Sequence, residues 1–333
     1  MFKLIEENKL KYKVGALMYS PASNESVVEK ILNRANNLES GFRFLDSLVL
    51  CLEDAITFGS VEKAEKTLVK SMRQIWSALN NDETKDLPLL FIRVRNSGQI
   101  SRLISELGEL GELLTGFVLP KYDSGNSNDY AEAMQEINSQ RRRTFYCMPT
   151  LETLAIGSCE TRARELAAIK TSFVDFHKYI LNIRIGGNDF CGLFGVRRNP
   201  RQSIYDIILV RSILEDVLNV FSHDYIISAP VWEYFGDDKQ GAWAKGLERE
   251  LELDVLNGFI GKTAIHPTQL ELIHNALCVD KQDFIDAQNI LNWNNDELGV
   301  AKSSDGARMN EVATHRRWAE RVLTLAEIYG LKR

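Results

Sequence analysis

Short apolar runs alternate along the chain with longer stretches in which apolar residues recur every three or four positions. Eight such runs stand out, at residues 14–19, 47–52, 87–94, 116–119, 144–148, 181–186, 225–229 and 259–265. Each is rich in branched or aromatic residues and mostly apolar on both faces of an extended chain. That is the pattern of a parallel strand covered by helices. The stretches between have helical spacing. Over 203–221, Ile204, Ile207, Ile208, Leu214, Leu218 and Phe221 share one side, with Ser203 placed to cap the start. Over 239–257, Trp243, Leu247, Leu251 and Val255 form an i, i+4 row, and Gly258 supplies a stop before the next strand.

Eight strand-helix units predict an α/β fold, a (β/α)8 TIM barrel. An open doubly wound sheet is the alternative, but no Gly-x-Gly-x-x-Gly follows the first strand. From Asp280 the pattern changes to a helix, then a polar stretch over 292–307, then a final helix over 310–329. Asn294, Asn295, Asp296, Gly299, Ser303, Ser304, Asp305 and Gly306 mark the polar stretch as a loop or lid. The expected division is a catalytic barrel over 1–279 and a C-terminal helical extension with a lid over 280–333.

Composition narrows the class. A length of 333 residues is ordinary for one α/β barrel. Forty basic residues against 46 acidic ones give a net charge of −6, which argues against a nucleic-acid surface. Residues 1–13 are charged and lack the apolar core of a signal peptide, and no apolar run approaches a membrane span. A cytoplasmic protein is expected. Cys51, Cys147, Cys159, Cys191 and Cys278 are scattered with no Cys-x-x-Cys pair, so neither a zinc site nor a disulfide framework is signalled.

In such a barrel the chemistry sits where the strands end. Those ends carry Glu53 and Asp54 after the second strand, Arg93 on the third and Lys121 after the fourth. Glu152 follows the fifth strand and Gly187-Asn188-Asp189 the sixth. Glu152 and Asp189 fall at adjacent strand ends. Two carboxylates with water and substrate oxygens suit Mg2+ (or Mn2+), which is seldom caged by protein alone. Such an ion would stabilise the enolate formed when a C–C bond breaks. Arg93 offers a planar fork to a carboxylate or to the enolate oxygen. Any one of these carboxylates taken alone reads better as a capping or salt-bridge residue; five polar groups at successive strand ends tip the balance toward a site.

Six segments together resemble the HpcH/HpaI aldolase and citrate lyase β-subunit family over most of the chain. They are CLEDAI at 51–56, IRVRN at 92–96, LPKYD at 119–123, TLET at 150–153, GGNDF at 186–190 and GKTAIHPTQ at 261–269. The overall flavour is most similar to a divergent branch associated with tellurium-resistance gene clusters. The resemblance implies a Mg2+-dependent carbon–carbon lyase or aldolase acting on a carboxylate, keto-acid or acyl-thioester substrate. Glu152 and Asp189 would hold the metal. Arg93, Glu152 and Asp54 would serve catalysis, and Arg93, Glu152, Lys121 and Gly187 would bind substrate. The resemblance also leaves room for coenzyme A, and it implies a homo-oligomer (trimer or hexamer) with a small-molecule carboxylate as partner. The chain departs from the family pattern at Cys51, where Asp is usual, at Asn188, where Glu is common, and in longer segments at 71–86 and 170–179.

Other residues read more quietly. Lys121 is expected as an ion-pair residue rather than a Schiff base. His266 is expected to be structural, and no histidine pair has metal-ligand spacing. Trp232, Tyr234 and Phe235 are expected to line a pocket slightly sooner than to pack under the Gly236-Asp237 turn. Asp305 resembles an Asp that in some acyl-CoA members closes over a neighbouring subunit's site. The competing functions are a phosphoenolpyruvate-type barrel lyase and a non-catalytic binding or assembly subunit.

Overall fold

The alternation of apolar residues resolves into two faces on every strand. The computed structural model describes residues 7–35, 41–81, 87–139, 143–293 and 298–332. Residues 82–86 of the longer segment, and Asn294, Asn295 and Asp296 of the polar stretch, lie outside them. The strands are β1 (Ala16–Pro21), β2 (Ser47–Cys51), β3 (Leu89–Arg93), β4 (Gly116–Leu119), β5 (Tyr146–Leu151), β6 (Arg184–Ile185) and β7 (Lys262–Ala264). All pair in parallel, in the order β6-β5-β4-β3-β2-β1-β7.

Successive side chains on a strand point to opposite faces. Leu17, Val49, Phe91, Val118 and Met148 turn inward and pack on one another as a plug. Their neighbours Met18, Leu48, Leu50, Leu90, Ile92, Phe117 and Cys147 turn outward into the larger core shared with the helices. A central plug inside a ring covered by helices is the interior of a TIM barrel.

The expected seventh strand takes its place in the ring without forming a ladder. Two isolated bridges, Ile183 to Ile227 and Ala229 to Lys262, join it to both neighbours. The N–H of Ser228 donates to Ile183 at 3.0 Å and the N–H of Ile260 to Ile227 at 2.9 Å, so the ring closes. The next residue, Pro230, has no N–H to continue the pairing.

Both amphipathic helices form, at Ile208–Phe221 and Ala242–Leu256, with two corrections. Ile208 is exposed, because a 3-10 turn at Ile204–Asp206 precedes the helix and changes the phase of the apolar row. Val255 is exposed as well, because Asp254 takes the inward position to reach Lys262. Gly258 ends the second helix with φ of 89°, a left-handed conformation that glycine adopts without strain.

The tail contains the expected helices, at Lys281–Leu291 and Val312–Tyr329, but the polar stretch is not simply a loop. Val300–Lys302 (β8) and Met309–Glu311 (β9) pair as an antiparallel hairpin. Arg308 anchors it, reaching Asp283 and Asp286 at 2.8 Å each. The two helices share a small apolar cluster of their own. Tyr329 then docks the last helix at the strand-start end of the barrel, its hydroxyl donating to the Tyr12 carbonyl at 2.7 Å.

Candidate active site

Parallel register brings neighbouring strand ends side by side. Cys51 lies opposite Arg93, Arg93 opposite Val118, and Thr150 opposite Arg184. Above the apolar plug Arg93 lies over Tyr19, Tyr19 and Thr263 meet Arg184, and Thr150 is in register with Arg184, so these side chains make a polar floor. The groups just beyond the strand ends stand over it.

Arg93 is the hub. Its Nη2 lies 2.8 Å from Glu152 Oε1, 2.9 Å from Glu53 Oε2 and 3.2 Å from Asp54 Oδ2. Lys121 completes the network from β4: its ammonium contacts Glu53 and lies 3.2 Å from Asp54 Oδ1, and its backbone N–H donates to Glu152 Oε1 at 2.9 Å. Among the described residues Lys121 is the one non-glycine with a left-handed backbone, at φ of 48°. That conformation costs energy and persists only where the surroundings hold it. Here it aims one N–H at a buried carboxylate.

The electrostatics follow from burial and neighbours. Burial, with Asp189 nearby, pushes Glu152 up to about 7 despite Arg93 beside it. Asp189 is also raised, by desolvation and then by the Asp54 charge, although its side chain reaches solvent. Burial alone would lower Arg93 and Lys121, but their carboxylate partners more than offset it, so both stay cationic. An amine held charged is a poor nucleophile, which fits an ion-pairing Lys121 rather than a Schiff base. Asp54, resisted by desolvation but bonded to its neighbours, is held below its ordinary range.

Glycine at 186 is what brings the carboxylates together. A Cβ there would lie 2.4 Å from Glu152 Oε2 and 2.8 Å from Asp189 Oδ2, closer than any real side chain allows. The two oxygens thus flank one point at the mouth. With every carboxyl ionised, Glu53, Asp54, Glu152 and Asp189 face two cations, Arg93 and Lys121, leaving an excess of two negative charges. That excess equals the charge of one divalent cation. The donor set fits Mg2+: Glu152 and Asp189 would be the protein ligands, and the other positions would be left for oxygens of water and substrate. Among the described residues no larger group of His, Cys, Asp or Glu gathers as a metal cage.

Several sequence expectations land elsewhere. Gly187 starts the short helix Gly187–Leu193, and a Cβ there would meet Pro230 at 2.7 Å, so it is Gly186 that faces the carboxylates. Trp232 is fully buried, donating to the Trp243 carbonyl, and Tyr234 donates to the Arg198 carbonyl, so the expected aromatic pocket is mostly packing. Phe235 stacks on His266 at 4.4 Å. His266 accepts from the Thr268 N–H and caps the turn Pro267–Gln269, the structural role expected of it. Asp305 is taken up in its own hairpin by Ser303 and by the Ala307 N–H. Tyr19 and Arg184 were not among the candidates, and Glu53, noted at its strand end, was given no role of its own.

A family model described as C–C bond lyase of the TIM-barrel fold matches residues 8–331. No curated protein matches the chain. Among solved structures, the chain is similar to protein CitE from Mycobacterium tuberculosis in complex with magnesium, acetoacetate and coenzyme A. The TM-score is 0.59 at 18% identity, covering 95% of this chain and 99% of that one. RipC from Yersinia pestis gives a TM-score of 0.52 at 15% identity, over 80% and 95% of the two chains. CitE with magnesium and pyruvate gives 0.50 at 17% identity, over 81% and 93%. At these identities the likeness carries the fold.

Proposed function

Because this chain belongs to the C–C bond lyase family of the TIM-barrel fold, we propose that its barrel mouth cleaves or forms a C–C bond next to the carbonyl of a carboxylate substrate, with Mg2+ as cofactor. One observation carries the reading: Glu152 and Asp189 flank a single point at Gly186 while Arg93 reaches Glu152 from below. Magnesium bound together with acetoacetate in one CitE structure and with pyruvate in another agrees with that chemistry. Bound there, Mg2+ would supply Lewis-acid polarisation of a carbonyl oxygen.

The side chains divide the remaining work. Glu152 and Asp189 hold the cation. Arg93, charged and with a buried Nε that has no partner, donates to the oxygen on which enolate charge develops. Glu53 and Asp54 fix the guanidinium, and Lys121 locks those carboxylates from the far side. The substrate is a keto acid or an acyl thioester, and coenzyme A enters as a carrier only in the second case. We further propose that residues 280–333 form an extension distinct from the catalytic barrel, in a cytoplasmic homo-oligomer.

The test is a panel of 2-oxo acids and acyl-CoA thioesters incubated with the protein and followed by NMR. Mg2+-dependent C–C cleavage or condensation is expected, abolished by EDTA. R93K should lose about a hundredfold or more, since lysine lacks the fork. Turnover indifferent to EDTA, or undiminished in R93K, would overturn the assignment.

A further inference from the structure

Arg184 stands on the inner face of β6, 2% exposed and in register with Thr150 of β5. Its Nη2 donates to Thr263 Oγ1 and the neutral Tyr19 hydroxyl sits beside the guanidinium, while Nε and Nη1 are buried without a well-aligned acceptor. No carboxylate among the described residues pairs with it. The Thr150 hydroxyl beside it and Arg93 Nε across the floor are likewise buried and unsatisfied. A buried guanidinium normally comes with a counter-anion, because desolvating its charge alone is costly. Among the described residues, the comparably buried cations Lys262 and Arg198 both have one in Glu250.

Resting on the Mg2+-lyase reading, we propose that Arg184 is a second anion-binding residue of the site, taking a distal carboxylate of a 2-oxo dicarboxylic acid. The strand sets the spacing. Arg184 lies two residues below Gly186, the point flanked by Glu152 and Asp189, a rise of roughly 6–7 Å along a strand. A four- or five-carbon acid held by its 2-oxo end at the metal pair spans that depth. The floor is not sealed: Tyr19 and Thr263 beside the guanidinium, and Gly186 above it on the strand, are only half-buried. Charge agrees with geometry. With a divalent cation in place, the four mouth carboxylates and Arg93, Lys121 and Arg184 leave one net positive charge for an anionic ligand.

Calorimetry of 2-oxoglutarate against 2-oxopentanoate, which has the same chain length and lacks the distal carboxylate, tests this. In wild type with Mg2+, 2-oxoglutarate should bind at least about tenfold tighter, the yield of a charge-assisted contact. R184M should erase that preference while keeping the 2-oxopentanoate affinity. R184K, which keeps the charge and is the milder change should R184M not fold, should lose most of the preference. No preference in wild type, or an undiminished one in either variant, overturns the proposal. If the preference depends on Arg184 but EDTA and D189N leave both affinities unchanged, the subsite stands and the metal reading falls.

Discussion

Two charge clusters in this chain use the same kinds of side chain to different ends. Outside the barrel wall, Lys262 lies 2.9 Å from Glu250 and 2.8 Å from Asp254, and Arg198 lies 3.6 Å from Glu250. The Ile204 N–H donates to Glu250 at 2.6 Å and the Tyr205 hydroxyl to Asp254 at 2.7 Å. Cations and carboxylates balance there, and the cluster is sealed. At the mouth four carboxylates outnumber Arg93 and Lys121, one backbone is strained, and Asp54 and Lys121 are each more than half exposed. Balance and closure mark a structural cluster; imbalance beside an opening marks a site that waits for charge from outside.

Breaking the sealed cluster should have the largest effect on stability. E250A leaves Lys262 and Arg198 short of a buried partner, so a loss of about 3–5 kcal/mol is expected in urea unfolding. A loss below about 1 kcal/mol would mean that the cluster is wetter than its burial indicates.

At the mouth, G186A is the next most disruptive change, and its effect should appear in metal affinity more than in folding. The new Cβ, 2.4 Å from Glu152 Oε2, must push the carboxylates apart. Mg2+ affinity should fall by about 10–100-fold, the scale on which disturbed ligand geometry acts. Unchanged affinity would separate Gly186 from the site.

The mildest effect concerns pH. With Glu152 pushed up to about 7, the folded metal-free protein holds that proton more tightly than the unfolded chain does. The stability this carboxyl contributes is full below the ordinary glutamate value of about 4.3 and is lost as pH rises through about 7. Melting temperature without metal should therefore fall across that window in wild type and stay flatter in E152Q. Mg2+, competing with the proton, should restore wild type most above pH of about 7. Parallel wild-type and E152Q profiles would contradict this.

Much of this was legible in the sequence, and the remainder fails for a physical reason. Residues at strand ends stand out because a charge interrupts an apolar run, so Arg93, Glu152 and Asp189 were readable, and the structure brings them together. Arg184 and Tyr19 lie inside runs that are apolar on both faces. There the period of two has no polar side to mark which residues point inward, and only the register with Thr150 shows that Arg184 joins the floor. The hairpin around Asp305 was hidden because its strands are three residues each and largely exposed, leaving no alternation to read.

The central claim is that Glu152 and Asp189 make one divalent-cation site at the mouth. Titration calorimetry of Mg2+ into the metal-free protein, repeated for E152Q, D189N and the surface control E62Q, tests it most directly. The account predicts one ion per chain for wild type and E62Q, with saturable binding lost in both E152Q and D189N. Wild-type binding in either of those two variants would place the ion elsewhere and contradict the account.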